Sequence, residues 1–547
     1  MENGIGPIGG HGDTIPALLR SAAECSGDHP AIVDGDVAIS YRGLRSRADD
    51  AARAFLAAGL EPGDRVAIWA PNIWEWVVAL LGAQTAGGVL VPLNTRYKGT
   101  EAAHILNASG ARILMTVEGF LGNDYVTMLA GHDLTSLERV VLLRGEVPDG
   151  TPAATVVSFD EFIESGRGVT DAAVDARAAS VGPNDLSDLL FTSGTTGRPK
   201  GVMATHSQTV RAFDAWATVV GLRSDDRYLV VNPFFHAFGY KAGIVAAMTK
   251  GATLYPEAVF DVPAVMESID RYSITMIPGP PTLYQSIMNH AEFDPARVTS
   301  LRLAVTGAAI VPRQLISDMR NILGFETVIT GYGLTEASGI ATMCRHDDDD
   351  ETIASTSGRA IPGVEVEIHD PEGMSLPAGV PGEVCIRGYN VMVGYFNDPV
   401  ATAETIDASG WLHTGDIGVM DERGGLRITD RVKDMFIVGG FNAYPAEIEQ
   451  LLADHPDVAQ SAVIGVPDAR MGEVCHAFVV ARIGTTPDPA QIISWAREHM
   501  ANYKVPRVVH LVESLPLNPS GKVLKYELRD RMSAQTRPNA STETGST

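Results

Sequence analysis

Cysteine is scarce in this chain of 547 residues. It occurs four times, at widely separated positions: Cys25, Cys344, Cys385 and Cys475. This spacing supplies neither a disulfide framework nor the paired cysteines of a metal knuckle. The sequence therefore excludes a small disulfide-stapled fold, and it predicts a reduced compartment, the cytoplasm.

Basic residues are also few. The chain has 42 Lys and Arg against 67 Asp and Glu, which gives a formal net charge of −25. Nucleic-acid binding depends largely on Lys and Arg side chains that meet phosphates. Nucleic acid is therefore not an expected partner, and an anionic membrane surface is not one either.

Long uninterrupted apolar runs are missing. The first residues, MENGIGPIGGHGD, contain neither a basic region nor an apolar stretch, so they do not resemble a secretory signal. The most apolar window, Trp74 to Leu93, is interrupted by Gln84, Thr85, Gly87 and Gly88. Because a membrane-spanning helix needs about 20 nearly continuous apolar residues, we predict a buried helix followed by a strand here and no transmembrane segment.

The length and the 45% hydrophobic content predict at least two globular domains. Short β-branched runs alternate with alanine-rich stretches, which favours an α/β fold with parallel strands. The predicted strands of this part are 65–69, 88–92, 111–117 and 139–143, and the predicted helix is 74–86. From Val364 the strings VEVEIHD, GEVCIRG and GLRITD alternate with period two, which indicates a small antiparallel sheet.

The last part of the chain again mixes helices and strands. Helices are expected at 446–453 and 489–499, and strands at 459–466 and 477–481. From Ser533 the sequence is polar and low in apolar residues, which is typical of disorder. We predict a large domain over 1–430, a small domain over 431–532 and a disordered tail over 533–547.

A phosphate-binding loop is predicted at Asp188 to Lys200, DLLFTSGTTGRPK. An apolar strand runs into a loop whose glycines let the backbone approach an anion, while its hydroxyls and Lys200 supply donors and charge. The loop lacks the GK[ST] ending of the GxxxxGK[ST] pattern, so it is not the common P-loop of nucleoside triphosphatases. The full string TSGTTGRPKG is much more specific than a lone GTTG, so a phosphate-binding loop is favoured over a flexible surface turn.

This string resembles the signature of the adenylate-forming superfamily, which includes acyl-CoA synthetases, peptide-synthetase adenylation domains and firefly luciferase. Further motifs of that family follow in order over nearly the whole chain: FFHAFGY, GYGLTEA, GEVCIRG with VMVGY, WLHTGD, DRVKD and NPSGK. The resemblance implies a large N-terminal domain of stacked mixed and parallel sheets with an antiparallel subdomain. It also implies a small mobile α+β C-terminal domain.

The resemblance implies an ATP-dependent acyl-CoA ligase that uses Mg²⁺. The carboxylate first attacks ATP to give an acyl-adenylate and pyrophosphate, and CoA then displaces AMP. Glu336 is expected to hold Mg²⁺, Tyr332 to lie against adenine, Thr335 to touch the α-phosphate and Asp416 to accept from the ribose hydroxyls. The other positions implied to bind ATP or CoA are Thr192, Ser193, Gly194, Thr195, Thr196, Gly197, Lys200, Gly307, Ala308, Gly331, Gly333, Ile428, Arg431 and Gly440.

Lys522, in NPSGK, is the residue that the family implies for the first half-reaction, bridging carboxylate and phosphate oxygens. Many relatives carry Arg three residues later, where this chain has Lys525. The family also implies a hinge at Lys433, about which the small domain rotates so that the face around Gly440 meets the thiol of CoA. Acetylation of Lys522 by a lysine acetyltransferase and its reversal by a deacetylase are expected as regulation, and a homodimer is left open.

The identity of the acid is less constrained. Peptide-synthetase domains place an Asp next to a Phe to pair with an α-amine, whereas this segment has Phe235, His236 and Lys241 and no acid, which favours a carboxylate without an amino group. His236 is expected to be catalytic or to gate the acyl pocket. The pocket walls are expected from 232–241, 278–284 and 306–310, where the small residues Gly239, Gly279, Gly307 and Ala308 are expected to leave room for a bulky group.

Several alternatives stay open at this point. The strings NPFFHAFGYKAGI and KDMFIVGGFNAYPAEIEQ are similar to an actinobacterial branch that activates the propanoate side chain of a bicyclic indanedione left by steroid-ring breakdown. A fatty-acid or aromatic-acid CoA ligase and an enzyme that loads a carrier protein are the alternatives. A non-catalytic acyl-nucleotide sensor would be expected to lack Glu336 or Lys522, and both are present.

Overall fold

The computed structural model describes most of the chain. The described residues are 12–147, 156–193, 199–307, 311, 313–431, 436–443, 445–482, 484–516, 523 and 525–536. They divide into two compact units. The larger unit takes in the described residues up to Thr192 and those from Lys200 to Asp430, and the smaller unit takes in Ser193, Pro199 and those from Arg431 onward.

Strands and α-helices alternate through most of the described part of the larger unit, and the strands from β22 onward belong to the smaller unit. The strands are β1 (Pro30–Asp34), β2 (Val37–Ser40), β3 (Arg65–Trp69), β4 (Val89–Pro92), β5 (Ile113–Phe120), β6 (Asn123–Asp124), β7 (Arg139–Arg144), β8 (Val156–Ser158), β9 (Leu186–Ser193), β10 (Pro199–Thr205), β11 (Arg227–Val230), β12 (Thr253–Pro256), β13 (Leu303–Gly307), β14 (Thr327–Tyr332), β15 (Thr342–Met343), β16 (Arg359–Ala360), β17 (Val364–His369), β18 (Gly382–Gly388), β19 (Gly394–Tyr395), β20 (Leu412–Met420), β21 (Leu426–Arg431), β22 (Phe436–Val438), β23 (Phe441–Ala443), β24 (Val458–Asp468), β25 (Gly472–Ala481) and β26 (Val508–Leu511).

The α-helices are distributed over both units. They are α1 (Ile15–Ser26), α2 (Tyr41–Ala57), α3 (Trp74–Thr85), α4 (Gly99–Ser109), α5 (Tyr125–Met128), α6 (Phe159–Ser165), α7 (Asp171–Ser180), α8 (His206–Val220), α9 (Ala237–Gly239), α10 (Ala246–Lys250), α11 (Val262–Tyr272), α12 (Pro281–Met288), α13 (Arg313–Asn321), α14 (Asp350–Ser355), α15 (Pro399–Thr405), α16 (Pro445–Ala453), α17 (Pro489–His499) and α18 (Lys525–Thr536). None of the described helices is both long and apolar enough to cross a membrane.

A nine-stranded sheet forms the first layer of the larger unit. Its order is β19-β10-β9-β4-β3-β5-β7-β8, with β6 beside β5. The strands from β9 to β8 along this path pair in parallel, as the βαβ rhythm of the sequence predicts. The predicted helix is also confirmed as α3, which is buried along nearly its whole length.

A second layer contains two four-stranded sheets, β11-β12-β1-β2 and β13-β14-β15-β16. Met276 connects them, because it forms parallel bridges to Tyr228 on β11 and to Leu303 on β13. Strand β13 in turn pairs in parallel with β14. The carboxyl ends of β11, the Met276 segment, β13 and β14 therefore meet at one edge, where loops that bind ligands are commonly found in such sheets.

The predicted antiparallel region is confirmed as a four-stranded sheet in the order β17-β18-β20-β21. One face carries Ile368, Val384 and Leu426, which form a small buried cluster. The period-two alternation of the sequence places the polar residues of the same strands on the opposite face.

The smaller unit has its own sheet, in the order β23-β22-β25-β24 with β26 beside β25. The helices and strands predicted here are present. The ends of α17 are as predicted, α16 begins one residue earlier, the ends of β24 differ by up to two residues, and β25 begins five residues earlier than predicted. Helix α18 buries Leu528 and Met532 in the core of this unit. It continues to Thr536, four residues into the predicted tail, and 537–547 lie outside the described residues, so the predicted domain bounds and the disordered tail stay predictions.

His206, the first residue of α8, predicts a loss of stability in mild acid. Its ring is buried, its Nδ1 accepts a hydrogen bond from the Ile15 N–H at 3.4 Å, and burial lowers its pKa to about 4. The unfolded chain takes up the proton near pH 6.5 and the folded chain does not, so stability is lost as the pH falls from about 6.5 towards 4. We expect His206 to account for about 2 kcal/mol of lost unfolding free energy between pH 7.5 and 5.

The matched variant is His206→Asn, whose side-chain oxygen can still accept from Ile15 but does not titrate. His476 in the smaller unit, with a pKa also lowered to about 4, contributes to the acid sensitivity of both proteins equally. Urea unfolding at the two pH values should therefore show a smaller pH effect in the variant. An equal pH effect in both proteins would contradict the assignment to His206.

Candidate active site

Two neighbouring strands of the nine-stranded sheet carry the ends of the predicted phosphate loop. Strand β9 presents Thr192 near its end, and β10 presents Lys200 near its start. The residues between them at 194–198 lie outside the described part of the chain, so the predicted roles of Gly194, Thr195, Thr196 and Gly197 stay predictions. The same holds for the side chain of Ser193.

Glu336 lies in a single 3₁₀ turn, Thr335–Ala337, just after β14. The next residue, Ser338, has a left-handed backbone with φ 55° and donates its hydroxyl to the Asn390 carbonyl at 2.8 Å. The Asn390 amide donates to the Ile340 carbonyl at 2.8 Å, and the Met392 N–H donates to the Glu336 carbonyl at 2.8 Å. These bonds from segment 390–392 fix the turn and therefore the direction of the Glu336 side chain.

The Glu336 carboxylate is the centre of a polar cluster. Its Oε1 accepts a hydrogen bond from the Tyr395 hydroxyl at 3.0 Å and from Thr192 Oγ1 at 3.5 Å. The Lys200 ammonium lies 4.9 Å from the centre of the Tyr395 ring. A half-buried carboxylate, a hydroxyl and a cation thus converge, which is the donor set expected around a hard cation and phosphate oxygens.

Tyr395 is a residue to which the sequence analysis gave no role. It lies in the VMVGY string, on a strand of two residues, and reaches Glu336 because β19 pairs antiparallel with β10 so that Val202 faces Tyr395. This pairing and the hydrogen bond from the Met392 N–H to the Glu336 carbonyl together bring the tyrosine to the carboxylate. The signal in the sequence was the motif itself, since nothing in its spacing indicates a contact with residue 336.

The predicted nucleotide side of the site also comes together. The Tyr332 hydroxyl, at the end of β14, donates to Asp416 Oδ2 on β20 at 2.7 Å. Tyr332 and Ile428 both pack on the small cluster under the antiparallel sheet. The Tyr332 ring thus lies beside the Asp416 carboxylate, which is consistent with the predicted roles of Tyr332 against adenine and of Asp416 as acceptor from the ribose hydroxyls.

Glycine is needed in this segment for close backbone approach. A Cβ built on Gly333 would lie 2.5 Å from the Ile340 Cα, which no side chain can occupy. Gly307 and Gly331, both predicted at the nucleotide site, are direct partners in the parallel pairing of β13 and β14. Ala308 lies outside the described residues.

His236 lies on the expected acyl-pocket wall. It caps the short helix α9, and its Nδ1 accepts from the Phe238 N–H at 3.2 Å. Because that bond needs an unprotonated Nδ1, the neutral ring would carry its proton on Nε2. His236 is exposed as a whole residue, and desolvation by the surrounding protein lowers the pKa of its imidazole, which favours the neutral ring.

Side-chain amides brace the same wall. Asn72 donates to the Val230 and Asn232 carbonyls at 3.0 and 2.9 Å and accepts from the Phe234 N–H at 2.7 Å. Asn232 donates to the Pro278 carbonyl at 3.0 Å. These bonds connect two of the predicted walls, those at 232–241 and 278–284.

The expectation that Gly239 and Gly279 leave room for a bulky group is wrong. A Cβ on Gly239 would lie 2.1 Å from the Pro233 carbonyl oxygen, and a Cβ on Gly279 would lie 2.6 Å from Leu283 Cδ1. The missing side chains face protein atoms, so these glycines allow close packing of the wall and do not enlarge a pocket. Lys241 does not face a substrate either, because its buried ammonium pairs with Asp188 at 3.0 Å.

Several predicted residues of the C-terminal part cannot be placed. Lys433 and Lys522, and the side chain of Arg431, lie outside the described residues, so their roles stay predictions. Gly440 is described. With Gly439 it forms the two-residue turn of the β22–β23 hairpin, with φ values of 56° and 85°.

Comparison with known proteins settles what this arrangement belongs to. The family model of the AMP-binding enzyme matches residues 19–396, and that of the AMP-binding enzyme C-terminal domain matches 447–522. The chain belongs to the AMP-binding enzyme family. The predicted superfamily, fold class and enzyme class are thereby confirmed.

Among curated relatives, this AMP-binding enzyme is similar to two proteins named 3-[(3aS,4S,7aS)-7a-methyl-1,5-dioxo-octahydro-1H-inden-4-yl]propanoyl:CoA ligase. The protein from Mycobacterium tuberculosis is 52% identical over 94% of this chain and 98% of its own length. That from Rhodococcus jostii is 49% identical over 94% and 98%. Among solved structures, a double mutant of o-succinylbenzoate CoA synthetase from Bacillus subtilis has a TM-score of 0.78 at 27% identity, covering 94% of this chain and 98% of that one.

The predicted activity class is confirmed by these relatives. The AMP-binding enzyme described here is an ATP-dependent acyl-CoA ligase of the AMP-forming type, with ATP and CoA as co-substrates. In the larger unit Thr192 and Lys200 lie near Glu336 and Tyr395, and Tyr332 is hydrogen-bonded to Asp416; that the activity resides at these residues stays a prediction.

Proposed function

We propose that this ligase activates the propanoate side chain of a methylated, fused bicyclic dione. The observation that carries the proposal is the identity of 52% and 49%, over nearly the whole chain, to two ligases named for that acid. The exposed His236 on the pocket wall supports it, because a neutral ring with its proton on Nε2 can donate to a ketone oxygen. A fatty acid or an aromatic acid is the alternative substrate.

In the first step a carboxylate oxygen attacks the α-phosphorus of ATP. A new P–O bond forms to the acid while the bond to pyrophosphate breaks, and the charge developing on the phosphate oxygens needs fixed positive groups and donors. Lys200 and Thr192 supply a cation and a hydroxyl for the β- and γ-phosphates, and Lys522 bridges the carboxylate and the α-phosphate. Tyr332, Thr335, Asp416 and Arg431 hold the nucleoside and its phosphate.

The residues present fit Mg²⁺. Glu336 offers a half-buried carboxylate beside the Thr192 hydroxyl, which are oxygen ligands that a hard cation prefers. When bound, Mg²⁺ would neutralise charge on the phosphates. The work of the chain is to orient Glu336, which Tyr395 and segment 390–392 do through the hydrogen bonds given above.

In the second step the thiol of CoA attacks the acyl carbon, a C–S bond forms, and AMP leaves with the electrons of the C–O bond. We propose that the unit from Arg431 onward rotates about Lys433 between the two steps, so that Lys522 leaves the site and the Gly440 hairpin lines the path of the thiol. The exposure of Gly440 in a tight turn supports a role at a surface that meets a ligand.

The substrate proposal is tested with a panel of acids. The bicyclic dione propanoate, a medium-chain fatty acid and ferulic acid are each assayed for pyrophosphate release, with and without CoA. We expect the dione propanoate to give the highest kcat/KM and CoA to be converted to its thioester. A higher kcat/KM for either other acid would overturn the substrate assignment, and turnover with a carrier protein but not with CoA would overturn the acceptor.

Tyr395→Phe is expected to slow adenylation about tenfold, because a hydrogen bond to a charged group contributes about 1.5 kcal/mol or more. The ring and its contact with Lys200 stay, so the loss reports the bond to Glu336. The measurement is kcat/KM for pyrophosphate release across a magnesium titration, where we expect the metal requirement to rise.

The matched control is Tyr389→Phe. The guanidinium carbon of Arg211 lies 4.2 Å from the centre of the Tyr389 ring, so this tyrosine also lies beside a cation, but among the described residues the tyrosine hydroxyl bonded to Glu336 is that of Tyr395. It should leave the magnesium dependence unchanged. Equal magnesium dependence in Tyr395→Phe and the parent enzyme would show that Tyr395 does not position the carboxylate.

We further propose that acetylation of Lys522 switches the ligase off, because acetylation removes the charge on which the first step depends. The test is an activity assay on protein acetylated stoichiometrically at this lysine, and full activity would refute the switch. The homodimer and the cytoplasmic location stay predictions.

A further inference from the structure

Metal-ligating side chains gather on the polar face of the antiparallel sheet, away from Glu336. In the pairing of β18 with β20, Cys385 faces His413 directly, and on its other side Cys385 faces Glu367 of β17. Glu383 lies two residues before Cys385, and a bulge between these two residues adjusts its pairing with β20. The neighbouring residues Ile368 and Val384 point into the small buried cluster on the opposite face.

Three of these side chains converge on one point. His413 Nδ1 lies 2.9 Å from Glu383 Oε2 and 3.6 Å from Cys385 Sγ. The three ligand atoms all lie within 4.8 Å of one another, with Cys385 buried and the other two half-buried. Glu383 and Cys385 lie on β18 and His413 lies on β20, so the spacing of cysteines along the sequence could not predict this cluster.

Two of these separations can be compared with those of tetrahedral zinc. With Zn–S near 2.3 Å and Zn–N near 2.0–2.1 Å, two ligands of a tetrahedral ion lie about 3.5 Å apart, close to the separation of sulfur and Nδ1 here. A nitrogen and an oxygen ligand would lie about 3.3 Å apart, so His413 and Glu383 need to separate by only a few tenths of an ångström.

A carboxylate lies behind the histidine at ion-pair distance, a few tenths of an ångström beyond hydrogen-bond reach. His413 Nε2 points to Asp407 Oδ2 at 3.8 Å, while Oδ1 of the same aspartate accepts from the Ser409 and Trp411 N–H groups at 2.8 Å each. A carboxylate behind a ligating histidine fixes its ring and tautomer. The second oxygen of Glu383, Oε1, accepts from the Gly415 N–H at 2.9 Å, so this ligand is oriented too.

The local charge also favours a cation. Glu367, Glu383 and Asp407 lie around Cys385 and His413, while the nearby Arg387 is engaged with Glu365 at 2.7 Å and with the Trp411 ring at 4.4 Å. A thiolate and an imidazole are ligands that Zn²⁺ prefers and Mg²⁺ does not.

We propose that Glu383, Cys385 and His413 bind one Zn²⁺ ion, with Asp407 as the carboxylate behind the histidine. Binding takes the thiol proton of Cys385 into solvent and leaves a fourth position for water. The ion would join β18 to β20 three residues before Asp416, so it would hold the strand that aims Asp416 at the nucleotide. This site is separate from the magnesium position at Glu336 and does not depend on the identity of the acid.

The test uses the full-length protein, stripped with a chelator and titrated with Co²⁺ as a spectroscopic probe and then with Zn²⁺. We expect about one Co²⁺ per chain with a thiolate-to-cobalt charge-transfer band, displaced by Zn²⁺, and a rise in the thermal unfolding temperature when Zn²⁺ is added. Asp407→Asn should keep the band but weaken binding about 10- to 100-fold.

Cys385→Ala should abolish the band, and the matched controls Cys344→Ala and Cys475→Ala, which remove other buried thiols, should retain it. His413→Gln gives a second route if one variant fails to fold. Absence of the band in the parent protein, or its persistence in folded Cys385→Ala, would overturn the proposal and leave the cluster as a hydrogen-bonded network.

Discussion

Replacing Lys522 by alanine is expected to reduce formation of the acyl-adenylate by about 10²- to 10³-fold, the usual cost of removing a group that stabilises developing charge. The same variant should convert an adenylate supplied in advance to the thioester at nearly the normal rate, because the lysine is needed only while the P–O bond forms. Pyrophosphate release and thioester formation from synthetic acyl-adenylate are the two measurements.

The chain offers a close control in Lys525, three residues further on. Its ammonium pairs with Glu449 at 2.7 Å, and Glu449 also accepts from the Val463 N–H at 2.7 Å, so Lys525 fastens the start of α18 within the smaller unit. Lys525→Ala should lower stability slightly and keep adenylation. Equal losses in both half-reactions of Lys522→Ala would show that this lysine acts on folding or binding instead.

Gly440→Leu is expected to produce the opposite separation. It should keep pyrophosphate exchange and lose most CoA-thioester output, because a branched side chain in the hairpin turn would obstruct the path of the pantetheine arm. Lys433→Pro should have the same phenotype if residue 433 is the hinge, since proline fixes φ there. Single-turnover formation of the thioester from a pre-formed adenylate measures both.

The turn itself sets the control for Gly440. Both of its residues have positive φ, at which leucine is strained whereas asparagine is tolerated. Gly440→Asn therefore keeps the hairpin with a smaller side chain and should lose less thioester output than leucine. Normal thioester formation in Gly440→Leu would show that the thiol takes another route.

The sequence was most informative where local pattern and burial agree. The strand 65–69 and the helix after it were predicted nearly to the residue, because β-branched and apolar residues there are buried on all sides. The tail is a different case. Three of the four residues 533–536 are polar, yet the helix continues through them after Leu528 and Met532, which pack in the core of the smaller unit.

The site shows a similar division. Motif residues such as Thr192, Glu336, Tyr332 and Asp416 could be named in advance, and the structure pairs Thr192 with Glu336 and Tyr332 with Asp416, while their roles stay predictions. Contacts made by long-range pairing could not, as Tyr395 and the Lys241–Asp188 pair show. The glycines of the acyl wall were misread, because a sequence does not reveal which side of the backbone a missing side chain would face.

The single bridge at Met276 has a consequence for how this ligase could change its acid. Because Met276 makes β11, its own segment, β13 and β14 parallel neighbours, the loops that follow the first two carry proposed walls of the acid pocket, and the loop after β14 carries proposed nucleotide residues. Each loop begins from its own fixed strand. A new acid specificity could therefore arise by replacing the loop after β11 or the loop after the Met276 segment, one at a time. The residues proposed to bind the nucleotide, which follow β14, would stay unchanged.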